Sequence, residues 1–207
     1  MTDSFVATRE ASMGRVSGIL FMTLFAFGWI SWSGLWSGGA TATNTLLFGS
    51  GISLTLLLGT IVLFVLGRRI PPAQRSPAEN HAIARQLGRG FSLTFSIEVT
   101  LILVAAGVCS ELSHPEWLPA VVCIIAGVHF LPLAVLFEMP GYVITGVALC
   151  TIGVVALLAI PSLPIAFDNW YIVPSAGAAA VLWLTSGAVL LQSLRRLGRS
   201  LSQRSES

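Results

Sequence analysis

Six stretches of this 207-residue chain stay apolar for about 20 residues each, the length an α-helix needs to cross the hydrocarbon core of a bilayer. They run from Val16 to Trp36, Ala42 to Gly67, Gly90 to Ser110, Trp117 to Phe137, Pro140 to Ile160 and Trp170 to Leu194. Inside a bilayer no water is present to satisfy backbone N–H and C=O groups, so a single-segment span must be helical. The expected fold is therefore all-α: a polytopic membrane protein forming one bundle of six transmembrane helices. Residues 1–207 make a single domain, with a loop at 68–89 and tails at 1–15 and 195–207. The first stretch is too long for the core of a signal peptide and no small-x-small cleavage site closes it, so it is expected to stay as a helix.

Composition points the same way. Charged residues make up 10% of the chain, hydrophobic ones 55%, and the mean hydropathy is +0.85. A soluble domain carries about 25% charged residues to keep its surface wet. Most of this surface must therefore face lipid.

The basic residues are eleven arginines, with no lysine. Without a lysine amine there can be no retinal or pyridoxal Schiff base and no P-loop contact to phosphate. A net charge of +2, gathered outside the spans, argues against a nucleic-acid partner. The arginines also give direction. Arg9 and Arg15 precede the first span, Arg68, Arg69, Arg75, Arg85 and Arg89 lie between the second and third, and Arg195, Arg196, Arg199 and Arg204 follow the sixth. The three loops on the other side, near Gly38, Glu111 to Glu116 and Pro161 to Asn169, hold none. Basic loops stay cytoplasmic, so both termini are expected there, in a bacterial inner membrane. Trp36, Trp117 and Trp170 at the outer ends of spans suit an interfacial belt. Trp29, Trp32 and Trp36 share a face of the first helix and read as an anchor or lipid-facing stripe.

In the long basic loop, Pro71-Pro72 should end the second helix. Ser76-Pro77-Ala78-Glu79 then reads as a helix start with a capping box. A short helix to about Leu87 is expected to lie along the membrane surface, with Arg85 and Arg89 on anionic headgroups, before Gly88 and Gly90 turn the chain inward.

The six stretches contain one acid, Glu98, and one histidine, His129. An ionised carboxylate at mid-membrane costs about 2.5–3.5 kcal/mol, so Glu98 must be protonated or partnered. Depth arithmetic supplies a partner. Glu98 lies nine residues past Arg89 and His129 eight before Phe137, which puts them about 13.5 and 12 Å from the same membrane face. A short connection makes the two helices antiparallel neighbours. Pro132 removes a backbone donor and leaves the Val128 carbonyl without its helical partner, predicting a kink beside His129. Thr94 lies one turn below Glu98, and Ser92, Ser96 and Thr100 add a hydroxyl stripe at spacings of four. Glu98, His129, Pro132 and Thr94 thus form a candidate intramembrane polar site. It is either a proton relay or substrate site, or a hydrogen-bonded pair that locks two helices.

Cys109, Cys123 and Cys150 form no CxxC and read as small buried apolar side chains; Cys109 and Cys123 differ too much in depth for a disulfide. No zinc, nucleophile-elbow, dinucleotide or bis-His haem motif is present. His114, Glu111, Glu116 and Asp168 in the outer loops lack metal-site spacing. No cofactor and no catalytic residue is expected, and the balance leans away from an enzyme, with an intramembrane enzyme kept as a third reading behind the two given below. Small residues at Gly51, Thr55 and Gly59, at Gly146 and Cys150, and at Ser175, Ala179, Trp183 and Gly187 allow close helix packing. They could also seed a homo-oligomer or a contact with another membrane protein.

The run His129-Phe130-Leu131-Pro132-Leu133-Ala134, followed by Phe137, Pro140, Tyr142 and Thr145-Gly146, resembles a pattern in small multi-pass bacterial membrane proteins grouped as a domain of unknown function. The resemblance implies a multi-pass fold and no particular activity. The functional expectation is a small permease-like or proton-linked transport protein using the polar site. The alternative is a non-catalytic subunit or scaffold of a larger membrane complex.

Overall fold

The computed structural model describes residues 9–68, 77–159 and 172–205. Six helices account for them: α1 Arg9–Ser37, α2 Gly39–Gly67, α3 Pro77–Glu111, α4 Leu118–Leu136, α5 Gly141–Ala159 and α6 Ile172–Ser205, with one 3₁₀ turn at Pro115–Trp117. Within them, Met13–Leu35, Gly39–Gly67, His81–Glu111, Pro115–Leu136, Gly141–Ala159 and Ile172–Arg199 are long and apolar enough to cross a membrane. The chain is an all-α bundle of six such helices.

Specific contacts fix the neighbours and their directions. Gly49 on α2 receives Ile30 of α1, and Gly34 of α1 receives Leu46, an antiparallel pairing. The Cys123 thiol points to the Leu149 carbonyl at 3.4 Å and the Cys150 thiol to the Ile124 carbonyl at 3.7 Å, and the pairing of Gly127 with Gly146 and of Ala120 with Gly153 shows that α4 and α5 run antiparallel. Their backbones are nearly in contact. A Cβ added to Gly127 would lie 2.7 Å from the Gly146 carbonyl oxygen, and one on Gly153 would lie 2.6 Å from that of Ala120. Only glycine permits this approach, as small residues do at membrane helix contacts.

Helix α6 is the centre. Its Trp183 indole donates to the Ser53 hydroxyl of α2 at 3.1 Å, and its Thr185 hydroxyl meets that of Thr145 on α5 at 2.8 Å. Between those two faces, Leu182, Ser186, Val189, Ser193 and Leu197 are buried at helical spacing, where α1 packs with Ile19, Met22 and Ala26. Helix α3 lies at the edge. Only 6% of its apolar window is buried, against 28% or more in each other span. Leu93, Ile97, Leu101, Leu103, Val104 and Val108 are exposed, as a lipid-facing surface should be.

Three expectations change. The surface helix ending at Leu87 does not exist as a separate element: α3 starts at Pro77 as expected but runs unbroken through Gly88 and Gly90. Gly90 serves packing, because a Cβ there would lie 2.9 Å from Leu136 of α4. Glycine costs a helix about 1 kcal/mol, less than leaving backbone groups unpaired in a membrane. The stretches read as tails also carry helix, since α1 begins at Arg9 and α6 continues to Ser205. Finally, the Gly51–Thr55–Gly59 stripe divides. Gly59 receives Leu190 of α6, whereas Gly51 and Thr55 are exposed and the Thr55 hydroxyl donates to the Gly51 carbonyl. Pro71, Pro72, Ser76, Asp168, Trp170 and the Trp36 side chain lie outside the described residues.

Candidate functional site

Antiparallel packing of α3 on α4, with Gly90 against Leu136 at one end, carries Glu98 to His129 two turns further along. The Glu98 Oε2 and His129 Nδ1 atoms are 3.4 Å apart, and the side chains are 7% and 8% exposed. This is ion-pair distance without hydrogen-bond alignment, and Nδ1 has no hydrogen-bond partner. A buried donor or acceptor in that condition costs about 1–3 kcal/mol. The pair is therefore close but not locked.

Thr94 contributes through its main chain. Its hydroxyl donates to the Gly90 carbonyl at 2.9 Å and is committed within α3. The imidazole ring instead has a hydrogen-bonding contact with the Thr94 backbone. Pro132 sits one turn along from His129, inside an uninterrupted α4, and is exposed at the rim. The Ser92, Ser96 and Thr100 stripe is exposed too and contributes nothing to the pair; the Thr100 hydroxyl donates to the Ser96 carbonyl at 2.8 Å. Two shallow apolar depressions on the outer surface, one lined by Leu131, Gly146 and Val154 and one by Leu47, Gly51 and Thr55, touch neither Glu98 nor His129.

Electrostatics restrict what the pair can do. Either Glu98 holds a proton beside a neutral imidazole, or a carboxylate faces an imidazolium. Both states are neutral overall and contain one proton. Adding or removing a proton leaves a net charge in a low-dielectric setting, at a cost of several kcal/mol.

No family model, curated protein or solved structure matches the chain.

Sequence reasoning passed over an aromatic wall beside the pair. Phe91 and Phe95 stack with centroids 6.0 Å apart, and Phe21 of α1 meets them edge-on at 5.5 and 5.8 Å. Phe137 of α4 closes the group at 6.3 Å from Phe91. The signal was available, because Phe91, Phe95 and Glu98 follow one another at i, i+4 and i+7. At the far end of α3, His114 and Glu116 pair at 2.7 Å, with the imidazole stacked flat on Trp117 at 4.4 Å. Among the described residues no three His, Cys, Asp or Glu side chains gather as a metal site. All three cysteines are free thiols.

Proposed function

We propose that the protein is a small proton-linked transporter of the bacterial inner membrane, with both termini cytoplasmic and Glu98 and His129 as its proton-handling pair. The observation that carries this reading is the pair itself: two ionisable side chains, more than nine-tenths buried between two spans, meet at 3.4 Å with the imidazole Nδ1 unpartnered. A purely structural lock gains most from an aligned hydrogen bond, and none joins these two groups. Ionisable groups within membrane spans commonly mark proton or substrate pathways. The orientation rests on the eleven arginines, all of which fall on one side of a six-span chain. The motif at 129–146 supports placing the chain with the small multi-pass bacterial proteins it resembles.

The test is proton flux into liposomes holding the purified full chain, driven by a potassium diffusion potential. Glu98→Gln keeps the shape of the side chain and removes its exchangeable acid. Flux should fall by about a hundredfold, the lower range of what a positioned proton-transfer group contributes. Equal flux in wild type and variant would refute the reading.

A second reading, a non-catalytic subunit of a larger complex, draws on α3. Ser92 and Ser96 place hydroxyls on an exposed face of the least buried helix, where a neighbouring span could accept them. A stoichiometric partner co-purifying with the chain, together with flux independent of Glu98, would favour it.

A further inference from the structure

The neutral pair and the aromatic wall share one face of α3. Phe91 and Phe95 are stacked, Phe21 lies across both, and Glu98 follows one turn beyond Phe95. Phe25 extends the wall, stacked on Phe21 at 4.9 Å. Glu98 is buried on the face of α3 that carries Phe91 and Phe95, while Phe21 and Phe25 are 36% and 41% exposed; a carboxylate on a ring-bearing face suits an organic cation, because the carboxylate neutralises its charge and the rings hold its apolar body. An anion has nothing to meet there. The nearest arginine on α3 is Arg89, nine residues and about 13.5 Å away along the axis.

The charged and titratable neighbours are few. Besides His129, α4 carries only Cys123, whose thiol points at α5. Helix α1, which brings Phe21 against Phe91 and Phe95 of α3, has Arg9, Glu10 and Arg15 in its first two turns and no charged or titratable side chain after them. The site must therefore balance its charge with its own proton or with a ligand. The helix that covers it is also the one held least. Helix α3 packs along α4 and meets α1 through the phenylalanines, so parting α3 from α4 opens the site while disturbing little of the remaining core.

We propose that the Glu98–His129 site exchanges its single proton for one lipophilic organic cation, an ammonium or phosphonium with an aromatic body, seated between the Glu98 carboxylate and the wall of Phe21, Phe91 and Phe95. As the cation enters, the bond to the shared proton breaks, on Glu98 oxygen or on imidazole nitrogen. The proton leaves to bulk water, and the carboxylate becomes the counter-ion of the cation. The site's net charge is zero before and after. Nothing is oxidised or reduced. This substrate class rests on the proton-linked reading above, and it predicts antiport.

Tetraphenylphosphonium is the probe, because it cannot itself carry a proton. It is titrated into the detergent-solubilised full chain in weak buffer with a pH indicator. Wild type should bind one cation and release about one proton for each cation bound, as linkage requires of a neutral site. Glu98→Gln should abolish both the binding and the release. Phe95→Leu keeps the apolar volume but removes a ring, and should weaken binding about tenfold. Binding that survives Glu98→Gln, or that releases no proton, overturns the proposal. Absence of binding alongside Glu98-dependent proton flux overturns the cation and leaves the proton reading standing. Absence of both overturns both.

Discussion

Gly127 and Gly88 are the same residue type on neighbouring helices, and their surroundings give them opposite roles. A methyl group on Gly127 would meet the Cys150 sulfur at 2.6 Å and the Gly146 carbonyl at 2.7 Å, and one of these is backbone that cannot rotate away. Gly88 has nothing within 4 Å of the same added atom. Gly127→Ala should therefore force α4 and α5 apart and cost about 1–3 kcal/mol, the usual range for overpacking. Gly88→Ala should be neutral or stabilise α3 by up to about 1 kcal/mol through helix propensity. Thermal unfolding of the two variants in detergent compares them directly. Equal stability would mean that the glycine seam of α4 and α5 is not a close contact. The same scale explains the buried pair. Glu98 and His129 were legible in the sequence because they are the one acid and the one histidine in the apolar runs, and a rise of about 1.5 Å per residue was enough to bring them level. Trp183 was legible only as one of several small-spaced positions, since nothing local reveals that its indole reaches Ser53, 130 residues away in the chain.

Helix α3 shows where element-scale reading fails. Two glycines after a capped start look like a place to turn, and in water they often are. In a span the balance differs, because a break would leave backbone groups without water to satisfy them. The helix therefore continues, and Gly90 becomes the point where Leu136 fits. Spin labels at Ala82 and Val108, both exposed, test this. A straight helix puts their Cα atoms about 39 Å apart, whereas a right-angle turn at Gly88–Gly90 brings them to about 30 Å. Double electron–electron resonance in nanodiscs should give the longer distance, and the shorter one would restore the surface helix. The hydroxyl stripe of Ser92, Ser96 and Thr100 failed to reach the site for a related reason. Spacing assigns residues to a common face, but only packing decides which face turns inward.

For the whole molecule, the number of spans, the all-α fold and the alternation of direction follow from apolar length and the position of loops. The arrangement around α6 does not. Which helices touch depends on side-chain fit, such as Leu190 against Gly59 or Tyr142 reaching the surface of α1 beside Gly18, and periodicity carries no record of such partners. What the assembled bundle adds to the sequence is a pair that is enclosed, set 3.4 Å apart, and covered by its most loosely held helix. The proton-linked function proposed for it turns on whether a proton moves through that pair. The direct measurement is proton flux in liposomes for wild type, Glu98→Gln and the exchanged double variant Glu98→His with His129→Glu. The single variant should fall about a hundredfold, while the exchanged pair, with the same two groups at the same depth, should return to within about tenfold of wild type. Wild-type flux no greater than that of Glu98→Gln would contradict the proton-linked reading and leave the two side chains as a structural contact alone.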